Sequence, residues 1–224
     1  MSYKILALET TTEACSAALL YQGLIQERYE LAPRQHTHLI LPMLQSLLDT
    51  ASLKPRDLDA IAFSRGPGSF TGSRISASIV QAIAFAANIP VVLVSSLQCL
   101  AQGAYREFQA ERVLAAIDAR MNEIFWASYQ LASEGIMLEV DTEQLSDPKH
   151  IPLISLSHYI GVGSAWDHYH AVLNGQLKNQ LQQWVAQRYP RAYDVAVLAQ
   201  HAYQQGQIVS AEEALPLYLR EKVC

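Results

Sequence analysis

Cysteine is scarce in this chain, basic clusters are absent and long apolar runs are broken, and each shortage removes a class of function. The three cysteines of the 224 residues, Cys15, Cys99 and Cys224, lie too far apart for a metal or redox motif. An odd, small number argues against a disulfide framework and for a reducing compartment. A chain of this length buries roughly 70% of its unfolded surface, so it needs no covalent staples. Net charge is −5, with no run of Lys or Arg, so the chain has no surface for gripping nucleic acid alone. The longest uncharged stretch, Ile75–Tyr105, contains Ser76, Ser78, Gln81, Asn88, Pro90 and Gln98, and makes a poor membrane span. The apolar run after Lys4 stops at Glu9, too early for a secretory leader. A cytoplasmic protein without membrane contact is expected.

What is present is α/β patterning. Tyr3–Glu9, Cys15–Tyr21 and Leu24–Leu31 read as strands separated by polar turns. Gln35–Ala51 reads as a helix, with Leu39, Ile40, Met43, Leu44, Leu47 and Leu48 at helical spacing. Ala60–Ser64 and Val91–Ser95 are short strands around a helix over Phe70–Ala87, and Leu97–Phe108 is a third helix. The pattern then restarts. Val113–Asp118 is an apolar strand ending in an acid, as Ile5–Glu9 is, and a turn and the strands Glu123–Leu131 and Ile136–Val140 follow. A duplicated β-β-β-α-β-α unit results. Asp141–Pro152 reads as loop, Tyr159–Gly163 as strand and turn, and Ser164–Asn174 and Ala192–Gln205 as helices.

Each chemical signal has a plain structural counterpart. Gly66, Gly68 and Gly72 precede a helix and could offer backbone N–H groups to an anion. Their spacing fits neither a P-loop nor a dinucleotide fingerprint. A tight strand-to-helix turn capped by Ser69 or Thr71 is the favoured reading. His36 and His38, and His168 and His170, stand two apart, which on a helix puts each pair on nearly opposite faces. Glu9 and Asp118 end strands and could hold Mg²⁺ in a cleft, or bond their own turn amides. Gly161 and Gly163 mark a turn. No Gly-x-Ser-x-Gly elbow anchors a hydrolase triad. From Ile75 to Ala87 the polar residues are Ser76, Ser78 and Gln81, so this helix is enclosed or forms an interface.

Two units that each open on an acid-tipped hairpin resemble the actin-like ATPase and sugar-kinase superfamily, where such hairpins contact phosphate and metal. Four stretches narrow the resemblance: Ile5–Thr12 (ILALETTT), Arg65–Gly72 (RGPGSFTG), Asp118–Trp126 (DARMNEIFW) and Pro216–Arg220 (PLYLR). Together they resemble the TsaB (YeaZ) family over nearly the whole chain, most strongly through Phe108. The resemblance implies an α/β, two-lobed actin-like fold, with an N-terminal lobe over 1–108 and a C-terminal lobe over 109–224. It implies a non-catalytic scaffold and activator that pairs with TsaD, the related subunit that binds metal and nucleotide. With the ATPase TsaE, that assembly moves a threonylcarbamoyl group onto the adenosine beside the anticodon of tRNAs reading A-starting codons. The chain itself would meet tRNA only indirectly.

TsaD carries a metal-binding His-x-x-x-His pair after the strand that corresponds to Val91–Val94. Here the corresponding residues are Ser96 and Leu100, so the resemblance implies no catalytic, cofactor or metal residue in this chain. In the family the two apolar helices contact TsaD, or a second copy in its absence, giving a weak homodimer. Candidate contacts are Leu39, Ile40, Met43, Leu44, Leu47, Ile75, Ile79 and Ile83. An independent nucleotide-dependent small-molecule kinase on the same fold is the alternative, and a glycoprotease a third reading by fold analogy.

Overall fold

Apolar residues run along β1 (Ile5–Glu9) up to its closing acid and nearly unbroken along β2 (Ala14–Tyr21), and both strands are buried, as inner strands of a covered sheet must be. β3 (Leu24–Leu31) mixes charged, polar and apolar residues, is mostly exposed and lies at the sheet's edge. Gln22 and Gly23, both at positive φ, make the two-residue turn between β2 and β3. The computed structural model describes residues 3–151, 155, 157–177 and 180–220. Cys224 and the end of the expected loop at Pro152 lie outside them.

After β3 come α1 (His36–Ala51), a 3₁₀ turn (Pro55–Asp57), β4 (Ala60–Ser64), α2 (Phe70–Ala87), β5 (Val91–Val94) and α3 (Ser96–Phe108). Sheet order is β3-β2-β1-β4-β5, antiparallel through the β1–β3 meander and parallel from β1 to β5. α1 ends at Ser52 and α2 at Asn88, each residue in the left-handed conformation and returning its N–H to the last turn. The core beneath the helices joins Leu6, Leu8, Leu19, Ile40, Leu44, Leu47, Ile61, Phe63 and Val80.

The second sheet repeats the first. β6 (Arg112–Arg120), β7 (Glu123–Leu131) and β8 (Met137–Ser146) form a meander, followed by β9 (Tyr159–Val162), α4 (Ser164–Leu177), β10 (Leu181–Val185) and α5 (Ala192–Gln204). Its order, β10-β9-β6-β7-β8, is the first order with each strand replaced by its counterpart. The duplicated α/β architecture is therefore present at the level of topology. Leu114, Trp126, Tyr159, Trp166 and Leu173 make up its core.

Four features differ from the sequence expectation. β8 continues to Ser146 through the segment read as loop, because Ser128 bonds Asp141 and the Trp126 indole N–H donates to Ser146 Oγ at 3.0 Å. β10 was not expected; its exposed Gln182 and Gln183 hide the strand pattern. Among the described residues no helix stands between β8 and β9 as a counterpart of α1. Finally, the compact units are Met1–Cys99 with Pro190–Leu217, and Leu100–Tyr189 with the segment from Tyr218, whereas the sequence reading kept 109–224 together. α5 belongs to the first unit, where it packs on β1, β2, β4 and β5.

Candidate functional site

In the first unit the β1–β2 turn and the glycine loop before α2 are one construction. The Ser69 N–H donates to the Thr11 carbonyl at 2.7 Å, and Thr10 Oγ1 donates to the Gly72 carbonyl at 2.7 Å. A side chain at Gly68 would strike the Thr11 carbonyl, and one at Gly72 the Thr10 carbonyl. Ser69 caps α2, its Oγ accepting the Gly72 N–H at 3.2 Å. The glycines thus serve close backbone packing and the cap is Ser69, one of the two expected. The Gly66–Pro67 peptide is cis.

Glu9 sits under this turn, wholly buried. Its Oε1 accepts both the Thr11 N–H and the Thr11 hydroxyl, the latter at 2.6 Å. Burial pushes its carboxyl up to about 7, against the bonds from Ser64 and Thr11 that favour the charged form. Ser96 is also wholly buried, its Oγ 2.9 Å from Thr11 Oγ1 and 3.1 Å from Ser64 Oγ. Ser96 is therefore tied into a hydroxyl cluster. Leu100 is buried.

In the second unit Asp118 ends β6. Its Oδ1 accepts the Arg120 N–H at 2.8 Å and its Oδ2 pairs with the Arg120 guanidinium at 2.9 Å. His168 stands 4.0 Å from the same carboxylate. Arg120, Met121 and Asn122 all take positive φ, at 62°, 56° and 59°, an unfavourable run for residues with side chains. Arg220 holds that turn, donating to the Ala119 carbonyl at 3.2 Å and to the Glu123 carboxylate. This bond gives the PLYLR segment its arginine, and no local periodicity announces it. A shallow pocket of about 350 Å³ opens here, lined by Asp118, Arg120, Met121, Asn122, His168 and Tyr169. Gly161 lies against the Trp166 ring and Gly163, at φ 106°, against the Ala116 carbonyl, so both serve packing.

The histidine pairs split as the spacing requires. His36 is buried, with Nε2 3.1 Å from the Ala14 carbonyl, while His38 is exposed. His170 stacks on Trp184 with ring centroids 4.9 Å apart. Among the described residues no group of three His, Cys, Asp or Glu side chains is arranged to hold a metal ion. No helix among them is long and apolar enough to cross a membrane. Cys15 and Cys99 are buried free thiols; burial pushes Cys15 up to about 12 and Cys99 well above its ordinary value.

The candidate interface residues divide. Ile40, Leu44 and Leu47 are 0%, 3% and 0% exposed and belong to the core, a correction the sheet imposes on them. Leu39, Met43, Ile75, Ile79 and Ile83 are half-buried, packed at the margin of that core. Beside them Leu41 of α1 is 53% exposed and Phe85 of α2 is 74% exposed; neither was among the residues expected from sequence. α2 carries a single charged residue, Arg74, along its 18 residues.

Comparison with known proteins places this arrangement. The family model described as TsaD, tRNA N6-adenosine threonylcarbamoyltransferase, matches residues 26–222. The tRNA threonylcarbamoyladenosine biosynthesis protein TsaB of Escherichia coli K12 is 41% identical, over 98% of this chain and 96% of that protein. TsaB of Haemophilus influenzae is also 41% identical, over 98% and 94%. The structure of YeaZ from Pseudomonas aeruginosa superposes with a TM-score of 0.91 at 44% identity, over 98% of this chain and all of that one. With full-length identity, the same fold and the hairpin and glycine-loop sequences in place, the chain belongs to the TsaB (YeaZ) family.

Proposed function

We propose that this protein takes part in tRNA threonylcarbamoyladenosine biosynthesis as a non-catalytic scaffold that docks a TsaD-type subunit through the outer faces of α1 and α2. The role in the pathway follows the names of its relatives. One observation carries the docking: Leu41 and Phe85 stand exposed beside half-buried Leu39, Met43, Ile75, Ile79 and Ile83, on helices with almost no charge. Apolar faces of this kind mark protein contacts. The same face in water would pair two copies weakly about a two-fold axis when the partner is absent.

The non-catalytic assignment draws support from the two acids. Glu9 bonds its own turn from full burial, and Asp118 pairs with Arg120. A kinase would need both directed at phosphate-bound metal. Transfer to tRNA, with TsaE supplying ATPase action, then falls to the assembly, and a chain of net charge −5 meets tRNA indirectly.

Light scattering of the chain mixed with its host's TsaD tests the docking. Ile79→Glu should weaken pairing by roughly 2–4 kcal/mol, since it places an unpaired charge in an apolar contact. Phe85→Glu should do likewise from a position that is exposed in the free chain. Folded variants that pair normally would place the contact elsewhere.

A further inference from the structure

The β1–β2 turn holds a carboxyl group for which docking has no use. Glu9 is wholly buried and its Oε2 has no hydrogen-bond partner, although Oε1 has two. From Oε1 a line of buried hydroxyls leads off. Thr11 Oγ1 is 2.6 Å from Glu9, Ser96 Oγ is 2.9 Å from Thr11, and Ser64 Oγ is 3.1 Å from Ser96. Each hydroxyl has one proton to give. If Thr11 donates to Glu9, Ser96 to Thr11 and Ser64 to Ser96, every one of those protons is committed and none is left for Oε2. A charged Oε2 therefore stays desolvated and unpaired, and a proton on it removes the buried charge.

Among the described residues no charge of opposite sign is among the causes that set the Glu9 carboxyl. Glu9 is itself among the causes that raise the thiols of Cys15 on β2 and Cys99 on α3. The other charges acting on those thiols, Asp194 of α5 and Glu27 and Glu30 of β3, are acids too. β4 carries no ionisable side chain. Arg65 just after it is half-buried and Arg74 of α2 is exposed; neither contributes to the position of Glu9.

The cluster reaches α2 through the next two residues. Thr10 bonds the Gly72 carbonyl and Ser76, and the Thr11 carbonyl takes the Ser69 N–H. We infer that Glu9 is carried as a neutral carboxylic acid at the head of a line of buried hydroxyls, and that the docking face of α2 is thereby linked to a buried proton. The link to docking rests on the pairing proposed above; the neutral acid does not.

Burial places ionisation of the folded form at about 7, against 4.5 for an ordinary glutamate. The folded state therefore holds a proton that the unfolded state has lost. The stability this confers is complete below about pH 4.5, declines as pH rises to about 7 and is flat above. Denaturant titrations of the full chain and of Glu9→Gln test it. The amide keeps the acceptor and supplies a fixed donor. Between about pH 5 and pH 8 the folding equilibrium constant of the natural chain should fall roughly 50- to 100-fold relative to that of the variant. The infrared carbonyl band of a protonated acid should be present at about pH 6 and absent from Glu9→Gln. If the variant fails to fold, that band in the natural chain still decides: its absence overturns the inference. Parallel pH dependence of stability in the two proteins overturns it as well. TsaD affinity should weaken from about pH 6 to pH 8 in the natural chain more than in Glu9→Gln. Equal dependence removes the link to docking, and no pairing at any pH removes the docking reading itself while the infrared result stands.

Discussion

Gly68 and Gly72 are glycine because the entry to α2 lies against the carbonyl oxygens of Thr11 and Thr10, where a methyl group has no room. Alanine is the better helix former by about 1 kcal/mol, so an open site at Gly72 would gain from the exchange. Here the obstacle is backbone oxygen, which cannot rotate away. Gly72→Ala is expected to destabilise the chain by about 1–3 kcal/mol in urea titrations, the size of an overpacking strain. A neutral or stabilising result would mean that the turn gives way. The glycine spacing was legible in sequence as a turn, and its cap as Ser69 or Thr71, of which the structure uses Ser69. The partner of that turn was not, since Thr10 and Thr11 lie some sixty residues away along the chain and carry no periodic signal. Arg220 is the same kind of residue. Its bonds to the β6–β7 turn span about a hundred positions, and only the folded chain brings them together.

Helices α1 and α2 show where periodicity stops being informative. Apolar spacing located both helices, but it marks every face that avoids water without saying which neighbour covers it. Ile40, Leu44 and Leu47 fill the core, while Leu41 and Phe85 project outward. Leu47→Ala is expected to cost about 2–5 kcal/mol, as for a buried leucine that leaves a cavity. Phe85→Ala should stay within about 0.5 kcal/mol of the natural chain and yet weaken pairing. Denaturant midpoints beside light scattering separate the two effects. α5 teaches the converse. Its helical pattern was clear, but its address was not, because its start is fixed by β3 and β2. Arg191 pairs bidentately with Glu27, Glu27 Oε1 accepts the Tyr193 N–H at 3.0 Å, and Ser16 Oγ accepts the Ala192 N–H at 2.9 Å. Glu27→Ala leaves that helix start short of an acceptor and should cost about 1–3 kcal/mol. Hydrogen exchange should show the loss first in the amides of α5; uniform destabilisation would contradict a local clamp.

At the scale of the whole chain, duplication was readable from two acid-tipped hairpins, and the sheet orders repeat strand for strand. The second copy diverges where its sequence weakens, beyond Leu145, with β10 where no element was expected and no described counterpart of α1. Each hairpin acid is held by its own turn, Glu9 buried and Asp118 paired with Arg120. Pairing is the activity proposed for the chain, and the decisive measurement is reconstitution. Modification of tRNA by the host's TsaD and TsaE, with the threonylcarbamoyl donor, is followed with the natural chain, with Ile79→Glu and with Asp118→Asn, each first shown to be folded. The account predicts that Asp118→Asn supports modification like the natural chain, and that Ile79→Glu loses it in proportion to lost pairing. Full modification with an Ile79→Glu chain that no longer pairs, or a loss beyond about 100-fold with Asp118→Asn, which is an effect of catalytic size, would contradict it.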